Sequence, residues 1–214
     1  MYRRFRSALI VKEENSTLKR IQEVAIKEFL EKGFKEASLR DIVKKAGVTT
    51  GAFYGYYSSK EALFDDLVSE TADYMYEKFC KTLESFEKLS VEEQTRQMEE
   101  YSIDYLDSAV DYAYEHREIF HLILQSSAGT RYENYIHQMV EIEIQSTEDY
   151  VARMRKAGYD ITMPNLNLAH AIISGMLSAL SELIVHDLPK EETKSCIKQI
   201  GEFMEAGWKK VMGF

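Results

Sequence analysis

Proline is nearly missing from this chain of 214 residues, which has only Pro164 and Pro189. The proline ring removes a backbone donor and clashes with the preceding turn, so everything before Pro164 is free to be helical. Strand signals are missing as well. No convincing alternation with a period of two is present, whereas spacings of three and four recur almost throughout. The two cysteines, Cys80 and Cys196, have no metal-ligand spacing and read as reduced thiols. After the three arginines of Met1–Val11 only a four-residue apolar stretch follows, too short for a secretory signal. Leu168–Val185 approaches the length of a bilayer span. Ser174, Ser178, Ser181 and Glu182 interrupt it and His170 flanks it, so a buried helix is expected, with no membrane partner.

Catalytic constellations are also lacking. The five histidines and two cysteines form no nucleophile arrangement, and no glycine loop could cradle a phosphate. Glu118 and His121 make a Glu-x-x-His unit, which di-iron bundles use twice and this chain has once. Glu133 with His137, and Glu182 with His186, have the spacing of ordinary surface pairs. No catalytic residue, cofactor or metal is expected.

What the chain does have is a divided charge. Residues 1–60 hold 13 lysines and arginines against 7 aspartates and glutamates, a net of +6; residues 61–214 hold 14 against 29, a net of -15. A basic head on an acidic body favours phosphate contact at one end and repels it at the other, although the whole chain carries -9.

The periodicity predicts an all-α protein of about nine helices: an amino-terminal three-helix domain holding a helix-turn-helix, and a larger helical bundle. Leu18, Ile21, Ala25 and Phe29 stripe a first helix over about 16–32, with Gly33 as its terminator. Ser38 caps a second, whose stripe is Leu39, Ile42, Val43 and Ala46, and Gly47 stops it. After Gly47-Val48-Thr49 comes a short third helix over about 50–57, then a long fourth from Lys60 to about Phe86. Further helices are predicted over about 91–114, 117–127 and 132–156, and Pro164 and Pro189 each open one more. Domain boundaries follow: a basic arm over 1–14, the helix-turn-helix domain over 15–60, and a ligand-binding and dimerisation domain over 61–214.

Two helices around a tight glycine turn form the unit whose second helix enters the major groove of duplex DNA. The third helix, Thr-Gly-Ala-Phe-Tyr-Gly-Tyr-Tyr, is a poor helix former. At 100° per residue Phe53 and Tyr57 share the inner side, and Gly51 and Gly55 lie opposite and leave the outer side bare. Tyr54 and Tyr56 flank that bare face, in reach of phosphates on either groove wall; Thr50 and Ala52 can touch base edges. Lys60, at the head of the fourth helix, adds a phosphate contact. The arm Tyr2-Arg3-Arg4-Phe5-Arg6 reads either as a minor-groove contact or as a solvated tail.

The stretch Ser38–Phe64 closely resembles the DNA-binding domain of the TetR (tetracycline-repressor) family of bacterial regulators. The resemblance rests on Ala46, Gly47, Val48, Thr49, Gly51, Phe53, Tyr54, Tyr56, Tyr57, Lys60, Glu61 and Leu63, and covers about residues 15–66. It implies that Thr49 caps the third helix at the DNA surface, that Ser38, Tyr54, Tyr56 and Lys60 hold phosphates, and that Thr50, Gly51, Ala52 and Gly55 face bases. Gly55 departs from the pattern, since the family more often has a polar or aromatic residue there.

Small residues repeat every fourth position at Ala171, Gly175 and Ala179, and Ile197, Ile200, Met204, Gly207 and Val211 stripe the last helix beside Trp208. The resemblance implies that these two helices pair with their copies in a four-helix bundle. It also implies a small-molecule pocket, for which Phe79, Tyr101, Tyr105, Phe120, Met139 and Met154 are the candidate lining residues. The function expected is a cytoplasmic, nucleoid-associated, dimeric regulator, a repressor released from its operator by an effector. The alternative is a helical small-molecule or metal-binding protein, possibly catalytic, with a vestigial DNA-binding head.

Overall fold

The computed structural model describes residues 2–213, and the side chains of these outside 2–15 and 98–103. Nine α-helices and no strand occur among the described residues: α1 Tyr2–Glu36, α2 Leu39–Lys45, α3 Thr50–Tyr54, α4 Lys60–Glu87, α5 Val91–Glu115, α6 Arg117–Gln125, α7 Tyr135–Lys156, α8 Leu166–Val185 and α9 Lys190–Met212. The all-α expectation holds. The arm Tyr2-Arg3-Arg4-Phe5-Arg6, read either as a minor-groove contact or as a solvated tail, lies outside the described side chains. α1 starts well before residue 16 because no glycine or proline interrupts the chain between Tyr2 and Lys32. Gly33 kinks it at φ 72°, ψ 162°, a left-handed φ that glycine takes without strain.

The chain forms two compact units. The first comprises residues up to Glu70 together with His121–Glu133; the second comprises Thr71–Phe120 and Asn134–Phe214. The first unit buries Ile21, Ala25, Phe29, Ile42, Phe53, Leu63, Phe64 and Val68 completely. Its centre is aromatic: Phe29, Phe34 and Phe64 form a triangle with ring centroids 5.1–5.8 Å apart, two of the three contacts edge-on. The returning segment 121–133 is fastened to this core. Phe34 donates its N–H to the Ser126 carbonyl (2.8 Å), Leu122 and Ile123 are buried, and Tyr132 Oη and Arg131 Nε both donate to Asp65 Oδ1 at 2.7 Å.

In the second unit α5 packs on α9 and α7 on α8. Tyr114 donates to the Leu188 carbonyl (2.7 Å) and meets Thr193 Oγ1 (2.6 Å), which ties α5 to the start of α9; Lys190 and Lys194 add ion pairs to Asp107 and Asp111. One core cluster gathers Tyr150, Val151, Met154, Ile161 and Met212, with Trp208 packed against it. α8 is long and apolar enough to cross a membrane by length and composition, yet it is amphipathic rather than wholly buried as expected. Ala169, Ile173, Leu177 and Leu180 face inward, while Leu166, Leu168, Ala171 and Gly175 are exposed.

Candidate nucleic-acid interface and effector cavity

The turn between α2 and α3 is set by two caps. Ser38 Oγ accepts the Asp41 N–H (3.3 Å) at the start of α2. At its end Gly47 (φ 66°) donates to Lys44 O and Val48 donates to Val43 O, the paired bonds of a Schellman stop. Thr49 Oγ1 then accepts the Ala52 N–H at 3.1 Å and starts α3. An isolated helix needs roughly 12–15 residues to persist in water; α3 has 5, so its position comes from anchoring. Phe53 is fully buried, which contributes about 2–3 kcal/mol, and the Thr49 cap adds about 1 kcal/mol. Tyr57 closes the far end: it donates to Asp66 Oδ2 (2.6 Å), and Gln22 Nε2 donates to both (3.1 and 3.0 Å). Burial and the Asp66 carboxylate hold the Tyr57 phenol above its ordinary range.

This anchoring presents one surface. Thr49, Thr50, Gly51, Ala52 and Gly55 are exposed, Tyr54 is 54% exposed, and Tyr56 and Ser38 are half-buried. A Cβ at Gly51 would meet only Thr49 Oγ1, at 4.0 Å, so that glycine keeps the surface low and is not needed for internal packing. α3 is shorter than expected, ending at Tyr54, but the turn bonds Tyr56 N→Phe53 O and Tyr57 N→Phe53 O carry its geometry on.

Lys60 differs from expectation. Its ammonium donates to the carbonyls of Phe34 (2.6 Å), Ala37 (2.9 Å) and Lys35 (3.3 Å), and sits 4.4 Å from the Phe34 ring centroid. Three donors meet three acceptors, so here the side chain caps the chain leaving α1. Residues not foreseen matter as much. Glu28 is a buried carboxylate paired with Lys32 and Lys45 (2.5 and 2.6 Å), which locks α1 to α2; the hydrogen bonds from Lys32 and then Lys45 hold its pKa at about 2. Arg40 and Lys44 are exposed on α2 in no ion pair among the described residues.

Residues 21–67 match the family model for bacterial regulatory proteins of the tetR family. The head is thus similar to those of tetR-family regulators. A relative with the same kind of head, the uncharacterized HTH-type transcriptional regulator YdgC of Bacillus subtilis, is 46% identical over 52 residues, which is 24% of this chain and 27% of that protein. The match thus spans about a quarter of the relative's length. The likeness to solved structures is one of fold. A TetR family regulator from Chloroflexus aurantiacus superposes with a TM-score of 0.62 at 16% identity, covering 92% of this chain and 93% of its own. The transcriptional regulator FadR from Bacillus subtilis, solved with stearoyl-CoA, superposes with a TM-score of 0.54 at 15% identity, covering 87% and 96%.

The second unit contains a partly open cavity of about 570 Å³, lined by Phe79, Tyr105, Val110, Tyr150, Ile173, Trp208 and neighbouring groups of α4, α5, α7, α8 and α9. Of the side chains expected to line a pocket, Phe79 and Tyr105 do so. Phe120, Met139 and Met154 do not: Phe120 packs edge-on to Tyr112, Met154 belongs to the core cluster, and Met139 is buried away from the cavity. The Tyr101 side chain lies outside the described residues. Polar and charged groups also line it, among them Asp107, Glu143, Lys194 and Glu205. Glu143 is pushed up to about 7 by burial, and the Tyr150 hydroxyl is buried with no hydrogen-bond partner among the described residues.

The stripe expected on α9 is divided between the cavity and the surface. Ile197 and Met204 line the cavity and Trp208 packs against the core, while Ile200 is half-buried. The residues facing out on α9 are Phe203 (75% exposed), Gly207 and Val211; on α8 they are Leu168, Ala171 and Gly175, with Ala179 half-buried.

Proposed function

We propose that this chain is a cytoplasmic transcription regulator acting at the nucleoid, a dimeric repressor that reads an operator through α3 of each copy and leaves it when an apolar effector fills the cavity. The observation that carries the reading is the exposed, side-chain-poor face Thr50-Gly51-Ala52-Gly55 on a helix that Phe53 and Tyr57 hold rigidly. A low surface lets the backbone approach base edges closely, with Thr50 and Ala52 meeting bases and Tyr54, Tyr56 and Ser38 on the groove walls. Arg40 and Lys44 are the cations best placed to neutralise phosphate.

Dimerisation is supported by the apolar face shared by α8 and α9. Gly175 and Gly207 have open space where a Cβ would stand, so a second copy's helices could approach closely there, with Phe203 as the central side chain. A pair of heads supplies the two half-sites that one module cannot read alone. The effector reading is supported by the cavity's aromatic and aliphatic lining, with Glu143 and the Tyr150 hydroxyl among its polar groups, which suits a largely apolar ligand. The neighbouring FadR fold solved with stearoyl-CoA is consistent with a long acyl chain. Such a ligand controls DNA binding only by favouring the state that binds DNA poorly.

Selection of bound fragments from a genomic DNA library tests the reading directly. A recurring palindromic site is expected; enrichment no better than random fragments would remove it. With that site in hand, the double variant Arg40→Ala, Lys44→Ala should lower the slope of log affinity against log salt by about two units.

A further inference from the structure

Glu141 on α7 stands between two histidines. Its Oε1 is 3.7 Å from Nε2 of His137, one turn earlier on α7, and 3.5 Å from Nε2 of His170 on α8. The two imidazoles are neighbours, with ring centroids 5.5 Å apart. One donor atom from each of the three residues falls in a set whose members all lie within 4.8 Å of one another. Ser174 Oγ, one turn along α8, lies 3.3 Å from Nδ1 of His170, which orients the ring so that Nε2 points to Glu141. All four residues belong to the second unit, and His137 and Glu141 are open to solvent.

We propose that His137, Glu141 and His170 bind a divalent transition-metal ion of the zinc class, with solvent in the fourth position. Two imidazole nitrogens and one carboxylate oxygen are a donor set zinc takes in three-ligand sites, and imidazole selects zinc, nickel or copper over magnesium or calcium. Metal–ligand distances of about 2.0–2.2 Å put tetrahedral donors roughly 3.3–3.5 Å apart. Two of the three separations are close to that already, and the third closes by rotation of exposed side chains. Glu133, which the sequence pairs with His137, is employed elsewhere: it accepts the Gly129 N–H and pairs with Lys35. The competing use of the same atoms is a pair of imidazolium–carboxylate contacts, which needs protons that a metal would displace. A bound ion joins α7 to α8 and raises the thermal midpoint, because only the folded unit holds all three ligands.

The test is a calorimetric titration of the chelator-stripped full chain with zinc near neutral pH, repeated with cobalt as an optical probe. One ion per protomer, tetrahedral cobalt bands and a raised thermal midpoint are expected. His170→Ala and Glu141→Gln should each weaken binding well beyond tenfold, and Ser174→Ala by about tenfold with unchanged stoichiometry. His186→Ala, altering a surface pair elsewhere, should leave binding as it was. No uptake, or uptake unchanged in both His170→Ala and Glu141→Gln with normal circular dichroism, overturns the site.

Discussion

Glu28 and Lys60 hold the head together from opposite sides. Glu28 is a buried charge whose partners, Lys32 and Lys45, both reach solvent, so the pair keeps its attraction while the cations remain partly hydrated. Its folded pKa of about 2 lies below the ordinary 4.5, so the stability it adds is complete above pH 4.5 and is lost as pH falls toward 2. Glu28→Gln should cost about 1–3 kcal/mol at neutral pH, and the gap to the parent protein should close between pH 4.5 and 2 in parallel denaturant titrations. A gap independent of pH would mean that the carboxylate's charge is not what matters. For Lys60, three carbonyl partners give Lys60→Met an expected loss of about 1–3 kcal/mol in stability. With its ammonium so engaged, the salt slope of operator binding should stay unchanged; a drop of about one unit would return Lys60 to the phosphates. Neither role was legible beforehand, because a glutamate in a stripe of charged residues and a lysine at a helix start each suit a solvated surface equally well.

α3 is where local sequence and tertiary packing pull in different directions. One glycine and two aromatics among five residues make a weak helix, so its existence depends on the Thr49 cap and the buried Phe53. Gly51→Leu separates folding from function. The position is exposed and open, so helix propensity alone should raise stability by up to about 1 kcal/mol, measurable by thermal melting. Operator affinity should fall about tenfold or more, because the new side chain stands where base edges must come. Unimpaired binding would show that the bare face is not the reading face. α8 teaches the complementary lesson. Its composition fits a wholly buried helix, yet only 22% of its apolar window is buried within one protomer.

Seen whole, the molecule has a basic head and an acidic body, with outward apolar helices at α8 and α9. If a second copy covers those helices, Phe203→Asp places a charge in the middle of the apolar face, and sedimentation should then report monomers with operator affinity falling to that of single half-sites. A dimer that survives Phe203→Asp would place the interface elsewhere. In the cavity, burial raises Glu143 to about 7, so its ionisation opposes folding increasingly as pH rises from 4.5 through 7. Glu143→Gln should therefore raise the thermal midpoint at pH 8 and change it little at pH 4, where both states are protonated.

Periodicity, glycine stops and capping side chains determined the helices and the turn of the DNA-reading unit, because each is a contest between neighbours along the chain. The motif around Gly47, Thr49, Gly51 and Phe53 was legible for the same reason. What only the tertiary structure decided depends on residues far apart: Glu28 meeting Lys45, Lys60 reaching the end of α1, and segment 121–133 joining the head. So too with α9, where a stripe of Ile197, Met204 and Trp208 looks the same whether it meets its own protomer or another. A helical pattern states which side chains share a face, but what that face is turned toward is decided by the packing of the other helices.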